Sequence, residues 1–567
     1  MNKFFILFIF LIVTACNNSE PVESAPPATP EELEMHSEEF RKEVIEVVDG
    51  VHVAIGFALA NSMMIEGEGG NIIIDTTGSI ETAREVKKIF DSINPNPVAA
   101  IIYTHNHADH IYGASVFAEG SDPDVYAHSS TQKYISRVIG ILRPIIGSRS
   151  NRMFGNVLPK EEVENNGIGP FLEIGRDGRT TGLLNPTKVF DDSLELDIAG
   201  VKIVLYHAPG ETNDQLLVWL PEKKALFPGD NFYKAFPNLY TIRGTPYRDL
   251  SGWVSSLDTM RYLRPKYLIP SHTRPLVGVG NIQNKLTVYR DGIQFVHDQT
   301  IRLMNKGLTP DEIVDKISLP PDLADSPFLK ELYGSPEWSS RNVFSGYLGW
   351  FDGNPSTLNP LSKPEEAANI INLSGGWSKL YVLAEDAFNL EKYQWSLQLT
   401  DYLLSDRPNN KKATSLRKSI LEKLGEQQAN PNARYYYLSS AAELDPNYKS
   451  EDILKPTLEI LRKYPIEAML ESLKVRVVPN KSLNKNIQLL FKFTDTGKVF
   501  SLFLRNSVLE IQPFEIMGSQ VQVMTTEDSL KGILAGLKSL PVALATGVIK
   551  VEGETMKLIT FFGTLKE

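Results

Sequence analysis

A chain of 567 residues, 42% hydrophobic and 22% charged, has enough apolar sequence for roughly two to four folded domains. A net charge of −11 excludes a general nucleic-acid binder, because phosphate contacts need a basic surface. With one cysteine in the chain, no internal disulfide and no multi-thiolate metal site can form.

The first 37 residues read as export and tether rather than fold. Lys3 supplies a positive start, residues 4–13 form an unbroken apolar run, and Val13-Thr14-Ala15-Cys16 ends it. That is the plan of a signal peptide and too short for a comfortable membrane span. The ending resembles a bacterial lipobox. The resemblance implies cleavage after residue 15, a lipidated Cys16, and an exported lipoprotein anchored to a membrane and facing the periplasm or cell surface. Asn17 in place of Asp disfavours, by the same resemblance, retention in the inner membrane. Residues 1–16 are thus expected to be a signal peptide. Residues 17–37, with Pro21, Pro26, Pro27 and Pro30, bury little and read as a flexible tether.

From Val47 the chain becomes β-rich. Val51-His52-Val53-Ala54-Ile55 and Asn71-Ile72-Ile73-Ile74-Asp75 have strand composition, and Gly67, Gly69 and Gly70 mark a turn between them. Residues 82–93 have helical spacing. The strand Val98-Ala99-Ala100-Ile101-Ile102-Tyr103 then leads into Thr104-His105-Asn106-His107-Ala108-Asp109-His110. Three of the nine histidines and an aspartate fall in that stretch, just past a buried strand. His105 and His107 lie two apart, so an extended loop aims both one way. Asp109 and His110 follow where a helix start can aim them at a second ion. Imidazole and carboxylate are the ligands zinc takes when thiolates are absent. Later strands end alike: 201–206 in His207-Ala208-Pro209-Gly210-Glu211, 224–226 in Phe227-Pro228-Gly229-Asp230-Asn231, and 266–268 in Ile269-Pro270-Ser271-His272. Strands alternating with helices predict a layered α/β domain.

The order HxHxDH, a Pro-Gly turn, Gly-Asp and a late His resembles the metallo-β-lactamase superfamily. Glu211 after the Pro-Gly turn, Thr180-Thr181-Gly182-Leu183 and Asn238-Leu239-Tyr240-Thr241-Ile242-Arg243-Gly244 resemble its alkylsulfatase branch. The resemblance implies an αββα sandwich over residues 38–290 carrying two zinc ions. By position, His105, His107 and Glu211 would hold the first, and Asp109, His110 and His272 the second, with Asp230 bridging. The branch often carries Glu at that bridging place. Asp109 also counts among the catalytic residues, with Asn238 and Arg243. Arg152-Met153-Phe154-Gly155 departs from the branch, which carries tyrosines there, so no tyrosine proton donor is expected from this segment. His128 and His207 read as structural, since seven ligands are already assigned. Arg243 and Asn238 would bind the sulfate group, which a guanidinium fork matches with two parallel hydrogen bonds.

Residues 291–445 read as helical, with Thr309 and Pro310 opening one helix and Tyr347-Leu348-Gly349-Trp350-Phe351-Asp352-Gly353-Asn354-Pro355 as an interruption. By resemblance this is the alkylsulfatase dimerisation domain, which implies a homodimer. Residues 446–567 read as an α+β lobe with a hairpin around Asp495-Thr496-Gly497, a helix over 529–537 and strands ending at Phe561-Phe562. The lobe resembles the sterol-carrier-protein fold and is expected to bind substrate, with residues 487–493 walling a groove. Together the resemblances imply a zinc-dependent alkylsulfatase. It would hydrolyse linear alkyl sulfates such as dodecyl sulfate to alcohol and sulfate through a metal-bridging hydroxide. The alternative is another hydrolase of the same fold acting on lactones or phosphate esters.

Overall fold

The computed structural model describes residues 28–174, 178–448 and 458–565. The apolar leader and Cys16 lie outside the described residues. Among the described residues, no helix is long and apolar enough to cross a membrane.

Two sheets lie face to face. The first contains β1 (Glu43–Val48), β2 (Val51–Ile55), β3 (Ser62–Gly67), β4 (Gly70–Ile74), β5 (Val98–Ile102), β6 (Asp124–His128) and β7 (Lys188–Phe190), in that spatial order. It begins as an antiparallel meander and becomes parallel from β4 onward. The second contains β8 (Ser193–Ile198), β9 (Val201–His207), β10 (Leu216–Leu220), β11 (Ala225–Phe227), β12 (Tyr267–Leu268) and β13 (Leu276–Val277), in the spatial order β13-β12-β11-β10-β9-β8.

The inner strands are buried on both faces, which is why β2, β4 and β10 read as near-continuous apolar runs rather than alternating ones, while the edge strand β8 alternates. Val53, Ile72 and Ile102 pack between the sheets against Leu205, Val218 and Phe227. On the outer face of the first sheet, Ile73 and Ile101 share a core with Ala83, Val86 and Phe90 of helix Ile80–Ile93. Those three residues recur on one helical face, and Ser79 caps the helix by accepting from Thr82 N. Outside the second sheet, Leu217 and Leu226 pack with Trp253 and Leu257 of helix Leu250–Leu263 and with Leu286, Tyr289 and Ile293 of helix Val279–Met304. The layers are therefore αββα. The expected boundary at 290 falls inside helix Val279–Met304, whose two halves both pack on the sandwich.

Helices Lys363–Leu373, Trp377–Asn389, Tyr393–Asp406 and Lys411–Glu426 gather around their own core of Leu380, Leu399, Leu403 and Ile420. Helix Pro431–Ala442 ties this bundle to the sandwich, with Tyr435 Oη donating to the Asn165 carbonyl at 2.9 Å. Arg152 and Glu443 join the two parts through paired contacts of 2.8 and 2.9 Å.

The C-terminal lobe is a five-stranded sheet backed by helices. Its strands are β14 (Ile487–Phe493), β15 (Val499–Arg505), β16 (Val508–Gln512), β17 (Val521–Thr525) and β18 (Lys550–Gly553), ordered β16-β15-β14-β17-β18. The hairpin at 495–497 is present, with Gly497 at φ 70°. Phe561 and Phe562 do not end a strand. They lie in helix Thr555–Gly563, because Leu558 and Phe561, three apart, turn one helical face into the lobe's core. The run that suggested a strand is a short amphipathic helix.

Candidate metal centre

The loops that end β5, β9, β11 and β12 meet at one edge of the sandwich, and each delivers donors there. Past β5 the backbone is extended at His107 and turns helical at Ala108–Ile111, so consecutive donors fan out instead of stacking. Past β11, Gly229 takes φ 57° with Gln215 pressed against it, leaving no room for a Cβ and setting the angle at which Asp230 enters.

The structure brings together all seven sequence-identified donors, in two clusters: His105, His107, Glu211 and Asp230, and Asp109, His110 and His272. His105 Nε2 lies 2.8 Å from His107 Nδ1, and His107 Nδ1 lies 3.3 Å from Glu211 Oε2. Asp230 Oδ2 lies 3.5 Å from His105 Nε2, 3.4 Å from His110 Nε2 and 3.2 Å from His272 Nε2. One carboxylate oxygen thus stands between the clusters, which is the placement a bridging ligand requires. Asp109 Oδ2 completes the second cluster, 3.4 Å from His110 Nε2 and 3.7 Å from His272 Nε2.

A mixed imidazole and carboxylate set, converging and nearly dry, suits two divalent cations. His110 Nε2 and Asp230 Oδ1 are buried without a hydrogen bond, as ligand atoms aimed at cations would be. Burial alone would neutralise Asp230, but the imidazoles of His272, His110 and His105 hold its carboxyl well below the usual range. Burial also disfavours a charged His110, yet Asp230, Asp109 and Asp75 hold it well above its ordinary value. His105 goes the other way, pushed down by burial and by the neighbouring His110.

Three of the donors, His110, His272 and Glu211, are held from behind. His110 Nδ1 lies 2.7 Å from Asp75 Oδ2, a fully buried carboxylate that also accepts from Thr104 N, Thr104 Oγ1 and Ser271 Oγ at 2.8–2.9 Å. His272 Nδ1 meets the carbonyls of Leu59 and Ile168 at 2.8 and 3.1 Å. Arg248, also buried, donates to Glu211 Oε1 at 3.0 Å and to the Asn238 carbonyl. Glu173 accepts from Gly78 N at 2.6 Å and Leu59 N at 3.3 Å, and burial pushes its carboxyl up to about 7.

These supporting residues were not identified from sequence. Asp75 carried a signal, a carboxylate ending an apolar strand as the ligands do. Arg248 and Glu173 carried none, since nothing local tells a buried charge from a surface one.

Beside the donors opens a cavity of about 410 Å3, within the size range of small-molecule sites. His107, Asp109, Asp230 and Arg243 line its polar end; Ile135, Val138, Ile139, Ile146, Phe154 and Leu172 line much of the rest. Tyr112 and Tyr333 face it as well, so phenol groups reach the cavity from outside the 152–155 segment. Arg243 Nη2 lies 3.0 Å from His107 Nε2, the ring nitrogen opposite the donor cluster. The Asn238 side chain is wholly buried, makes no hydrogen bond among the described residues and does not line the cavity. His128 and His207 stack on each other at 3.9 Å and bond to the carbonyls of Asp191 and Asn213, so both are structural. Of the described residues from 446 onward, Tyr448, ahead of the lobe's folded part, lines the cavity, and none of residues 458–565 does. β14, the expected groove wall, buries Leu489 and Phe491 in the lobe's own core instead.

Three family descriptions match the chain in succession: metallo-beta-lactamase superfamily over residues 55–272, alkyl sulfatase dimerisation over 309–447, and alkyl sulfatase C-terminal over 456–567. A linear primary-alkylsulfatase of a Pseudomonas species is 33% identical over 518 residues, covering 88% of this chain and 97% of that one. An (R)-specific secondary-alkylsulfatase, also from Pseudomonas, is 29% identical over 538 residues, covering 92% and 80%. Among solved structures, the stereoselective inverting sec-alkylsulfatase Pisa1 from Pseudomonas superimposes with a TM-score of 0.88 at 27% identity, over 96% of this chain and 88% of that one. With the same three parts in the same order, a donor cluster of the superfamily's kind and near full-length similarity, this chain belongs to the alkylsulfatase family, hydrolases of sulfuric esters built on the metallo-β-lactamase fold.

Proposed function

We propose that the protein is a dizinc alkylsulfatase that hydrolyses linear alkyl sulfates of the dodecyl sulfate type to alcohol and sulfate. The observation that carries the reading is the junction of two chemistries in one cavity of about 410 Å3: an apolar wall that includes Ile135, Val138, Ile139 and Ile146, and the donor end with Asp109, Asp230 and Arg243. A sulfate headgroup on a hydrocarbon chain has that same division. A lactone or phosphate ester without an alkyl tail would leave the apolar wall unused.

His105, His107 and Glu211 would hold one zinc, Asp109, His110 and His272 the other, and Asp230 both. When bound, the pair would supply Lewis acidity and water activated for attack near neutral pH. The chain's own residues do the rest. Arg243, at the polar end, offers its guanidinium fork to the sulfate oxygens. Asn238, proposed from sequence as its partner, is buried with its carbonyl tied to Arg248 and its carboxamide without a hydrogen bond among the described residues. Arg248 orients Glu211 through its guanidinium, and Asp75 fixes the ring orientation of His110. Ile135, Ile139 and Ile146 take the alkyl chain out of water, each buried methylene adding about 0.8 kcal/mol, or roughly fourfold in binding.

Two further readings accompany this one. The helical domain exposes Leu348 (60%), Trp350 (73%), Leu373 (83%) and Leu390 (67%), apolar side chains of the kind that a second copy of the chain would cover in a homodimer. Export and anchoring through a lipidated Cys16, toward the periplasm or cell surface, rest on the leader's resemblance to a lipobox.

The test is a substrate panel: dodecyl sulfate, a lactone and a phosphodiester, assayed with zinc-loaded protein. Hydrolysis of dodecyl sulfate well above the other two is expected. Preference for either of the others would sink the proposal.

A further inference from the structure

One stretch of the cavity wall has an unusual backbone. Helix Thr131–Ser136 runs into a π-helical turn, Arg137–Ile141, before helix Arg143–Met153 begins. Leu142 N donates to the Arg137 carbonyl, five residues back, at 3.1 Å. Such turns are rare, and they persist where something outside the helix holds them, often at functional sites.

This turn faces two ways. Toward the cavity, Val138 and Ile139 form part of the apolar wall. Behind, the turn meets the C-terminal lobe, where Ile139 packs against the core containing Leu470, Leu489 and Phe491. Tyr464, just 5% exposed, donates its hydroxyl to the Ser136 carbonyl at 3.2 Å, immediately before the turn. Gly140 sits beneath that hydroxyl, and a Cβ there would collide with it. The neighbouring Lys463 carbonyl is fastened to the sandwich by Asn185 Nδ2 at 2.7 Å. The folded part of the lobe therefore reaches the cavity wall from outside, while none of its residues 458–565 lines the cavity.

We infer that the C-terminal lobe sets alkyl-chain selectivity indirectly: Tyr464 clamps the π turn and so fixes where Val138 and Ile139 stand in the wall. Tyr464 and Gly140 are positioning residues. The inference rests on reading the cavity as an alkyl-chain site. It accounts for a folded lobe, residues 458–565, that packs beside the catalytic domain without lining the cavity itself.

Binding of two non-hydrolysable probes, decanesulfonate and hexanesulfonate, to full-length zinc-loaded protein tests it. The variants are Tyr464→Phe, which deletes one hydrogen bond, and Gly140→Ala, which wedges a methyl group against the clamp. A bond of ordinary net strength corresponds to about two- to tenfold in binding. Decanesulfonate is expected to weaken by that factor in both variants, with hexanesulfonate changed less than about twofold. Amide exchange across residues 137–142, followed by mass spectrometry, should quicken in Tyr464→Phe. If either folded variant keeps the ratio of the two dissociation constants, or loses both ligands equally, the clamp does not set selectivity. Failure of the unaltered enzyme to hydrolyse dodecyl sulfate would overturn the proposed activity instead, since the binding ratio is measured without turnover.

Discussion

Asp75→Asn is the most direct probe of how the metal centre is held. Asp75 is fully buried past the end of β4, and its two oxygens meet four donors: Thr104 N at 2.9 Å, Thr104 Oγ1 and Ser271 Oγ at 2.8 Å, and His110 Nδ1 at 2.7 Å. Asn is nearly isosteric and tolerates the left-handed φ of 54° found there, so backbone strain should not change. The carboxamide, however, has a single acceptor oxygen. Turned to serve the three donors at Oδ2, it sets its NH2 against Thr104 N–H. Flipped, it sets that NH2 against the other three. The gentler arrangement still leaves buried donors unsatisfied, at about 1–3 kcal/mol. It also removes the negative charge that orients His110, and carboxylates in that role contribute about 10- to 100-fold to metal affinity. Chelator competition should therefore show zinc bound 10- to 100-fold more weakly at one position, on the order of that range. The melting temperature of zinc-free protein should fall too. Equal zinc affinity at both positions together with an unchanged melting temperature would refute the role given to Asp75.

Three other outcomes are expected. Elemental analysis of active protein should find about two zinc ions per chain, lost with activity on chelation and restored with added zinc, and one metal or none would count against the bridged arrangement. Arg243→Lys keeps the charge but not the fork, so dodecyl sulfate turnover should fall by more than about tenfold with zinc content intact; unchanged kinetics would return Arg243 to a structural role. Cys16→Ser should move the catalytic body into the detergent-free soluble fraction, and a wild-type protein already found there would remove the lipid anchor.

The donors were legible because a strand followed by a ligand-bearing loop leaves a local trace: apolar run, then His, Asp or Glu beside Gly or Pro. Four such traces met in space because β5, β9, β11 and β12 end at the same edge. What could not be read depends on distant partners. Arg248 looks in sequence like any arginine in a charged turn, and only the buried Glu211 and the Asn238 carbonyl give it meaning. The π turn at 137–141 has no sequence signature, because it arises where Tyr464, more than three hundred residues away, takes the Ser136 carbonyl. The Leu558 and Phe561 spacing was visible, but the adjacent aromatics Phe561 and Phe562 outweighed it and suggested a strand.

A chain of net charge −11 that binds an anion needs local positive charge, and here it is arranged in two steps. Asp75, Asp109, Glu211 and Asp230 are all buried near the polar end of the cavity, and without cations their combined field would repel a sulfate ester. The guanidiniums are too closely engaged to reverse that field alone. Arg248 is committed to Glu211, and Arg243 stands against His107. Bound dications would take Asp109, Glu211 and Asp230 as ligands, so that these no longer act as a barrier, and Arg243 lines the same end of the cavity as a cation for the headgroup. The acidic composition and the anionic substrate are therefore compatible through the donor cluster. On the proposed reading, discrimination between chains falls to the apolar wall, since the headgroup is common to all of them.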